Sequence, residues 1–153
     1  MCMKILPIIF CAIMLLLNIP NTNFLNCLTF TDGTFSFYTT ENYTAQQCHT
    51  LKCGNGYIIS CESNLAHFLY NKLNKQKLLG ISIETSADNM KKIIDELDFK
   101  METTQNCGDI LFSYGYSTKL DKFVTIDGKK INIQIAKRGE KIKIGYPLIL
   151  DSA

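Results

Sequence analysis

The chain has 153 residues, of which 46% are hydrophobic and 20% are charged, a balance typical of a globular protein rather than a disordered one. The length suits one domain with short extensions. Its formal net charge of +2 is too small to indicate a nucleic-acid partner by itself. The charge is unevenly distributed, because residues 119–143 hold eight basic and three acidic side chains.

Residues 1–20 are predicted to be a signal peptide or an N-terminal membrane anchor. A single basic residue, Lys4, precedes an apolar run from Ile5 to Leu17, which is the plan of a signal peptide. The run is shorter than the roughly 20 residues that a membrane-spanning helix prefers. No A-x-A-like pair of small residues follows before Cys27, so an uncleaved anchor stays open as the alternative. In both cases we expect the protein to be secreted, or anchored to the membrane with its domain outside the cytosol.

The cysteines indicate a disulfide if the domain is exported, because an oxidising compartment lets such bonds persist. Cys48, Cys53 and Cys61 form a C-x4-C-x7-C cluster, and Cys107 lies further along the chain. The spacing allows Cys61 to pair with Cys53 or with Cys48, and Cys48 to pair with Cys107. It does not match ordinary zinc sites, so no metal site is predicted.

Residues 21–54 are predicted to form a hairpin followed by a cysteine-containing loop. Asp32-Gly33 is a favoured two-residue turn, and the resulting register places Phe30 opposite Phe35 on an aromatic face with Phe37. That face requires a cover, either the core or a partner. The loop, over residues 41–53, contains Asn42 in an N-glycosylation acceptor pattern, Asn42-Tyr43-Thr44.

Residues 55–153 are predicted to be the α+β domain. Strands are expected over 56–62, 79–84, 99–105 and 109–116. A first helix is expected from Ser63 to about Lys75, and a second begins after Ser86. Their apolar faces are predicted from helical spacing to comprise Leu65, Phe68, Leu69 and Leu73 in the first helix, and Met90, Ile93, Ile94 and Leu97 in the second.

The segment 123–145 alternates apolar and polar residues and is predicted to be a meander. Two-residue turns at Asp127-Gly128 and Arg138-Gly139 place Val124 opposite Ile131 and Ile135 opposite Ile142. All the isoleucines then share one face. The opposite, basic face is the predicted binding site: Thr125, Lys130, Asn132, Gln134, Lys141 and Lys143. Pro147 confines the apolar segment 145–150 to an edge or terminal position.

The expected fold class is therefore α+β. We expect a two-layer sandwich with a mainly antiparallel sheet, whose C-terminal meander is covered by two helices and whose domain is preceded by the N-terminal hydrophobic segment.

The function predicted from these features is that of a small, non-catalytic binding domain with an unknown ligand. The sequence contains no nucleotide-binding, hydrolase or metalloprotease motif, and no cofactor is expected. The basic face suits an anionic polymer, lipid headgroups or another protein, and the N-terminal segment would contact the membrane if it is uncleaved. A nucleic-acid partner is not expected, because export separates the domain from nucleic acids.

Two other classes of function stay open at this stage. One is an assembly component that associates through strand edges and the aromatic hairpin. The other is a thiol or hydrolytic enzyme that uses Cys48 and His49, or scattered carboxylates.

Overall fold

The computed structural model describes residues 23–28 and 31–151. The helices within them are α1 (Asn23–Cys27), α2 (Ser63–Lys72) and α3 (Met90–Leu97), with single 3-10 turns at Lys75–Lys77 and Ala87–Asn89. The strands are β1 (Thr34–Thr39), β2 (His49–Cys53), β3 (Gly56–Glu62), β4 (Leu78–Ser86), β5 (Lys100–Cys107), β6 (Ile110–Tyr116), β7 (Val124–Ile126), β8 (Lys129–Ile131), β9 (Ile133–Arg138) and β10 (Lys141–Tyr146).

Eight of these strands form one antiparallel sheet in the order β2-β3-β1-β4-β10-β9-β6-β5, and β7 pairs with β8 in a separate small sheet. Strand alternation gives the large sheet one strongly apolar face. That face carries buried pairs in its middle strands: Phe35 and Phe37, Ile81 and Ile83, Ile133 and Ile135, Ile142 and Ile144. These side chains share one core cluster with residues of α1, α2 and α3. The predicted α+β class and the burial of the isoleucine face are confirmed.

The predicted N-terminal hairpin is wrong. Strand β1 lies inside the sheet and pairs with β3 on one side and β4 on the other, so Phe35 lies opposite both Cys61 and Ile83. Phe30 lies outside the described residues. In a central strand, aromatic side chains are covered by side chains of the strands on both sides. A two-stranded hairpin offers a neighbour on one side only, so the greater apolar burial favours the observed pairing.

The predicted loop over 41–53 is also partly wrong, because His49–Cys53 forms the edge strand β2. This strand shows no clear apolar alternation, since an edge strand is exposed on most of its length. Its pairing partner β3, predicted over 56–62, is confirmed with the same bounds.

The apolar face predicted for helix α2 is confirmed at Leu65, Leu69 and Leu73, which lie in or against the core, and is wrong at Phe68. Ala66, Leu69 and Tyr70 are buried, whereas Phe68 is 55% exposed. The Tyr70 ring packs 6.5 Å, centroid to centroid, from the Phe37 ring of β1. In α3 the predicted stripe is confirmed, with Ile93 and Leu97 fully buried.

The C-terminal registers are confirmed at the first turn and shifted at the second. Val124 lies opposite Ile131 as predicted. The second turn is Gly139-Glu140, so Ile135 faces Ile144 rather than Ile142. Gly139 has a φ of +57°, a conformation that glycine adopts without strain. The shift moves each cross-strand partner by two residues, so the side-chain period of two keeps every isoleucine on the same face.

The predicted single meander is interrupted at Asn132. Before it, β7 and β8 form a separate hairpin whose Val124 and Ile131 pack with Leu148 in a second, small cluster. Beyond it, β9 and β10 join the large sheet, where β10 is a central strand beside β4. After the cis peptide bond Tyr146–Pro147, residues 147–151, here called the C-terminal tail, fold back over the sheet. A Cβ on Gly145 would lie 2.5 Å from the Ile149 nitrogen, so only glycine allows this close crossing.

Candidate functional site

The structure divides the predicted basic face into three places. Thr125 and Lys130 are cross-strand partners on the β7–β8 hairpin, and both are exposed. Asn132 lies at the bend between the two sheets. Gln134, Lys141 and Lys143 belong to the large sheet. The prediction of one continuous binding wall is therefore wrong, because the chain changes sheet between Lys130 and Gln134.

Asn132 is a structural residue, because its side chain is fully buried. Its Oδ1 accepts a hydrogen bond from the Ser117 nitrogen at 2.7 Å. Its Nδ2 donates to the carbonyl oxygens of Ser117 and Leu120, at 2.8 and 3.1 Å. These bonds hold the loop between β6 and β7 against the bend. Asn132 is thus unavailable to a ligand.

Gln134 also serves the fold. Only 8% of it is exposed, and its Oε1 accepts a hydrogen bond from the Ile149 nitrogen at 2.9 Å. The side chain therefore fixes the C-terminal tail on the sheet.

Lys143 contributes to the same attachment. Its Nζ lies 2.6 Å from Oδ1 of Asp151, and both side chains are largely buried, at 12% and 15% exposure. Tyr38 borders this ion pair and hydrogen-bonds to Ser82 at 2.8 Å. Burial, followed by the nearby Asp151 carboxylate, raises the pKa of Tyr38. The neutral phenol and the ion pair together form a polar clamp on the tail, here called the tail clamp, which comprises Tyr38, Ser82, Lys143 and Asp151.

Lys141 is exposed, and its Nζ lies 3.0 Å from a carboxylate oxygen of Glu84 on the neighbouring strand. An exposed pair of this kind leaves little net positive charge at the site. Of the six predicted site residues, Thr125 and Lys130 remain as an exposed pair without a buried structural contact.

The outer face of the β7–β8 hairpin adds an aromatic side chain to that pair. Phe123 is 37% exposed, and the Lys130 ammonium lies 4.6 Å from its ring centroid. Tyr116 meets the Phe123 ring edge-on, with centroids 6.3 Å apart. We call the group Tyr116, Phe123, Thr125 and Lys130 the hairpin patch.

A cavity beside the β2–β3 turn was not predicted from the sequence. It is an open cavity of about 310 Å³, at the lower end of the sizes that hold small ligands. Its apolar lining includes Tyr38, Tyr57, Ile58, Leu79 and Leu150. These residues come from separate segments of the chain, so no local sequence pattern predicts the cavity.

The described cysteines are brought together only in part. Cys27, Cys48, Cys53 and Cys61 are free thiols, and Cys107 pairs with none of these four. Cys61 hydrogen-bonds to Cys48, and burial is the main cause that raises the pKa of Cys61 to about 12. Cys53 is exposed at the opposite end of β2.

Three further features bear on the sequence predictions. Within residues 23–28 and 31–151, no group of three or more His, Cys, Asp or Glu side chains is arranged to hold a metal ion. In the same part of the chain, no helix has the length and hydrophobicity that a membrane crossing requires. Asn42, in the glycosylation acceptor pattern, is exposed.

Comparison with known proteins adds no relative. No family model matches the chain, and neither a curated protein nor a solved structure is significantly similar to it.

Proposed function

We propose that this protein is an exported or membrane-tethered binding domain that contacts anionic lipid headgroups through the hairpin patch. The observation that carries the proposal is the grouping of Phe123, Thr125 and Lys130 on one exposed face of the β7–β8 hairpin. An aromatic ring beside a lysine suits the interface of a membrane, where the ring enters the headgroup layer and the ammonium meets phosphate.

The contacts around the hairpin support the proposal that the patch is held facing outward. Lys129, next to Lys130, donates a hydrogen bond to the Glu102 carbonyl oxygen at 2.9 Å, which joins the hairpin to β5. The inner side of the hairpin is anchored by Val124 and Ile131. The outer side is therefore presented on a supported element rather than on a free loop. A supported aromatic loses less conformational entropy on binding.

The test compares variants of the full-length chain for co-sedimentation with vesicles of phosphatidylcholine, with and without phosphatidylglycerol. The double variant Phe123→Ser/Lys130→Gln is matched by Phe68→Ser/Lys72→Gln, which removes a similar exposed aromatic–lysine pair from α2. Because both variants keep the N-terminal segment, any binding by that segment cancels in the comparison.

We expect the hairpin variant to bind anionic vesicles about 10-fold more weakly and the α2 variant to bind as the parent does, since a lysine near an anionic surface contributes about 1 kcal/mol and a ring adds to it. The parent's preference for anionic vesicles should decline as salt is added. Equal binding by the two variants would refute the assignment of the patch.

A second candidate is association through strand edges. Both edge strands of the large sheet expose a large hydrophobic side chain, Leu51 on β2 at 54% and Met101 on β5 at 63%. Exposed edges invite pairing with another chain. Light scattering coupled to size exclusion distinguishes this candidate, because a strictly monomeric protein at tens of micromolar would remove it. Association through the aromatic side chains of the predicted N-terminal hairpin is not proposed, because Phe35 and Phe37 are buried.

A further inference from the structure

Cys48 and Cys61 face each other across the edge of the large sheet. In the β2–β3 ladder, His49, the first residue of β2, lies opposite Ser60. The register, continued one residue beyond the end of the ladder, places Cys48 opposite Cys61. Directly opposed residues have Cα atoms about 4.5–5.5 Å apart, within the range that a disulfide spans. The two side chains also hydrogen-bond to each other.

Both thiols belong to the helix-covered side of the sheet. Cys61 is 4% exposed and is part of the core, and Cys48 is half-buried and packs against it. The segment that leads to Cys48 is held in place, because the Cys48 nitrogen donates to the Ala45 carbonyl and Thr50 Oγ1 donates to the Tyr43 carbonyl. The fold therefore positions both thiols, Cys61 on strand β3 and Cys48 at the turn that leads into β2.

The same geometry excludes the other pairings that the spacing allowed. Cys53 lies opposite Gly56, five residues along β3 from Cys61, which corresponds to roughly 17 Å. Cys107 lies on β5, at the other edge of the sheet, six strand spacings or roughly 28 Å from β3. Neither distance can be spanned without breaking the sheet.

We propose that Cys48 and Cys61 form a disulfide when the domain meets an oxidising compartment, and that this bond staples the edge strand β2 to β3. The inference rests on the proposed location outside the cytosol. Strand β2 is the element that gains most from such a staple, because it pairs on one side only and its residues are mostly exposed.

The oxidant is a small or protein disulfide. The half-exposed Cys48, as its thiolate, attacks one sulfur of the oxidant and forms a mixed disulfide, and the departing thiolate takes up a proton. Cys61 then loses its proton, attacks the Cys48 sulfur and expels the second half of the oxidant as a thiol. Two protein thiols become one disulfide, and one oxidant disulfide becomes two thiols. The raised pKa of Cys61 slows the second step, whereas its burial protects the finished bond.

The test oxidises the folded, full-length protein with glutathione disulfide, blocks the remaining thiols and maps the cysteines by mass spectrometry without reduction. Cleavage after Tyr43, Leu51, Tyr57 and Leu65 separates Cys48, Cys53 and Cys61 onto different peptides. We expect a linked Cys48–Cys61 pair, and Cys53 alkylated. A Cys61 that stays alkylated, or that links to Cys53 or Cys107, would overturn the proposal.

Melting temperatures of the oxidised and reduced protein test whether the Cys48–Cys61 bond stabilises the fold. Reduction should lower the melting temperature of the oxidised parent by about 5 °C or more, because the bond restricts the conformations of the unfolded chain between residues 48 and 61. The Cys53→Ser variant should show the same drop, whereas Cys48→Ser should show a smaller one, because it lacks the Cys48–Cys61 bond. An unchanged melting temperature on reduction of the linked parent would contradict the stapling role.

A separate sample distinguishes this inference from the proposed function. Protein trapped with a thiol-blocking reagent as cells are lysed reports the compartment. A bond that forms readily with glutathione disulfide but is absent from the trapped protein would contradict export and leave the pairing standing.

Discussion

The side chain of Asn132, a residue of the predicted binding face, has a structural role. Its amide bridges the Ser117 nitrogen and two carbonyls, and it has no exposed surface. A buried amide that satisfies three backbone groups is costly to remove, because those groups then lose their partners in a place that water does not reach. The residue therefore stabilises the bend where the chain passes from the hairpin to the large sheet.

We expect Asn132→Ala to lower the free energy of unfolding by about 2–4 kcal/mol, as measured by urea denaturation. Thr125→Ala is the matched control, since Thr125 belonged to the same predicted face but is exposed, and it should change stability by less than about 0.5 kcal/mol. A tolerated Asn132→Ala would show that the bend does not depend on this amide.

Four of the seven tyrosines have a raised pKa, chiefly because burial disfavours the phenolate: Tyr38, Tyr70, Tyr114 and Tyr146. For Tyr70 the pKa is about 12. A phenol with a folded-state pKa above its unfolded value of about 10 contributes stability that is complete below pH 10 and declines as the pH rises toward the folded pKa.

Stability should therefore fall above about pH 10, by up to about 1.4 kcal/mol per pH unit for each such phenol. An ultraviolet titration of the phenolates checks this, with the guanidinium-unfolded chain as the reference. We expect the folded protein to ionise only part of its tyrosines near pH 10. A single transition near pH 10 for all of them, with the circular dichroism of the folded state intact, would contradict the expectation.

At the scale of elements, the C-terminal tail is held by side chains that the alternating pattern assigned to solvent. Gln134 binds the Ile149 nitrogen, and Lys143 pairs with Asp151 beside Tyr38. The isoleucine face of β9 and β10 was predictable because burial follows a strict period of two. The tail's path was not, because it depends on contacts between β10, β9 and β1 and on the chain reversal after Tyr146.

Asp151→Asn should lower the free energy of unfolding by about 1–3 kcal/mol, since it leaves the largely buried Lys143 without its counter-charge. The control is Asp109→Asn, whose partner Arg138 is exposed, with side chains 53% and 74% accessible. An exposed pair contributes little, so this variant should stay within about 0.5 kcal/mol of the parent. Equal losses in chemical denaturation would mean that the tail clamp has no special role.

At the scale of the whole molecule, the sheet order places β4 and β10 side by side although they are far apart in sequence. Among the strands of the large sheet, the central ones, β1, β4, β10 and β9, carry most of the buried aliphatic and aromatic side chains. The edges, β2 and β5, are exposed over most of their length. Local opening follows buried contacts, so the stability of the molecule should decline from its centre to both edges.

Hydrogen exchange followed by mass spectrometry should reveal that gradient. We expect amides of β4 and β10 to exchange slowest and those of β2 and β5 to exchange at least about 100-fold faster, because edge strands open without unfolding the core. The β6 amides, one strand in from the edge, provide an internal comparison. Protection of β5 equal to that of β10 would disprove the gradient.

The sequence by itself determined the α+β class, the isoleucine face, helix α3 and the Asp127-Gly128 turn, because each follows from local periodicity or from a turn that requires particular residues. Only the tertiary structure decided that β1 is a central strand, that Asn132, Gln134 and Lys143 hold the fold together, and that Cys48 faces Cys61. Each of these depends on which distant segments become neighbours. Alternation of apolar and polar residues indicates which side of a strand is buried. It does not indicate which segments of the chain cover the other side.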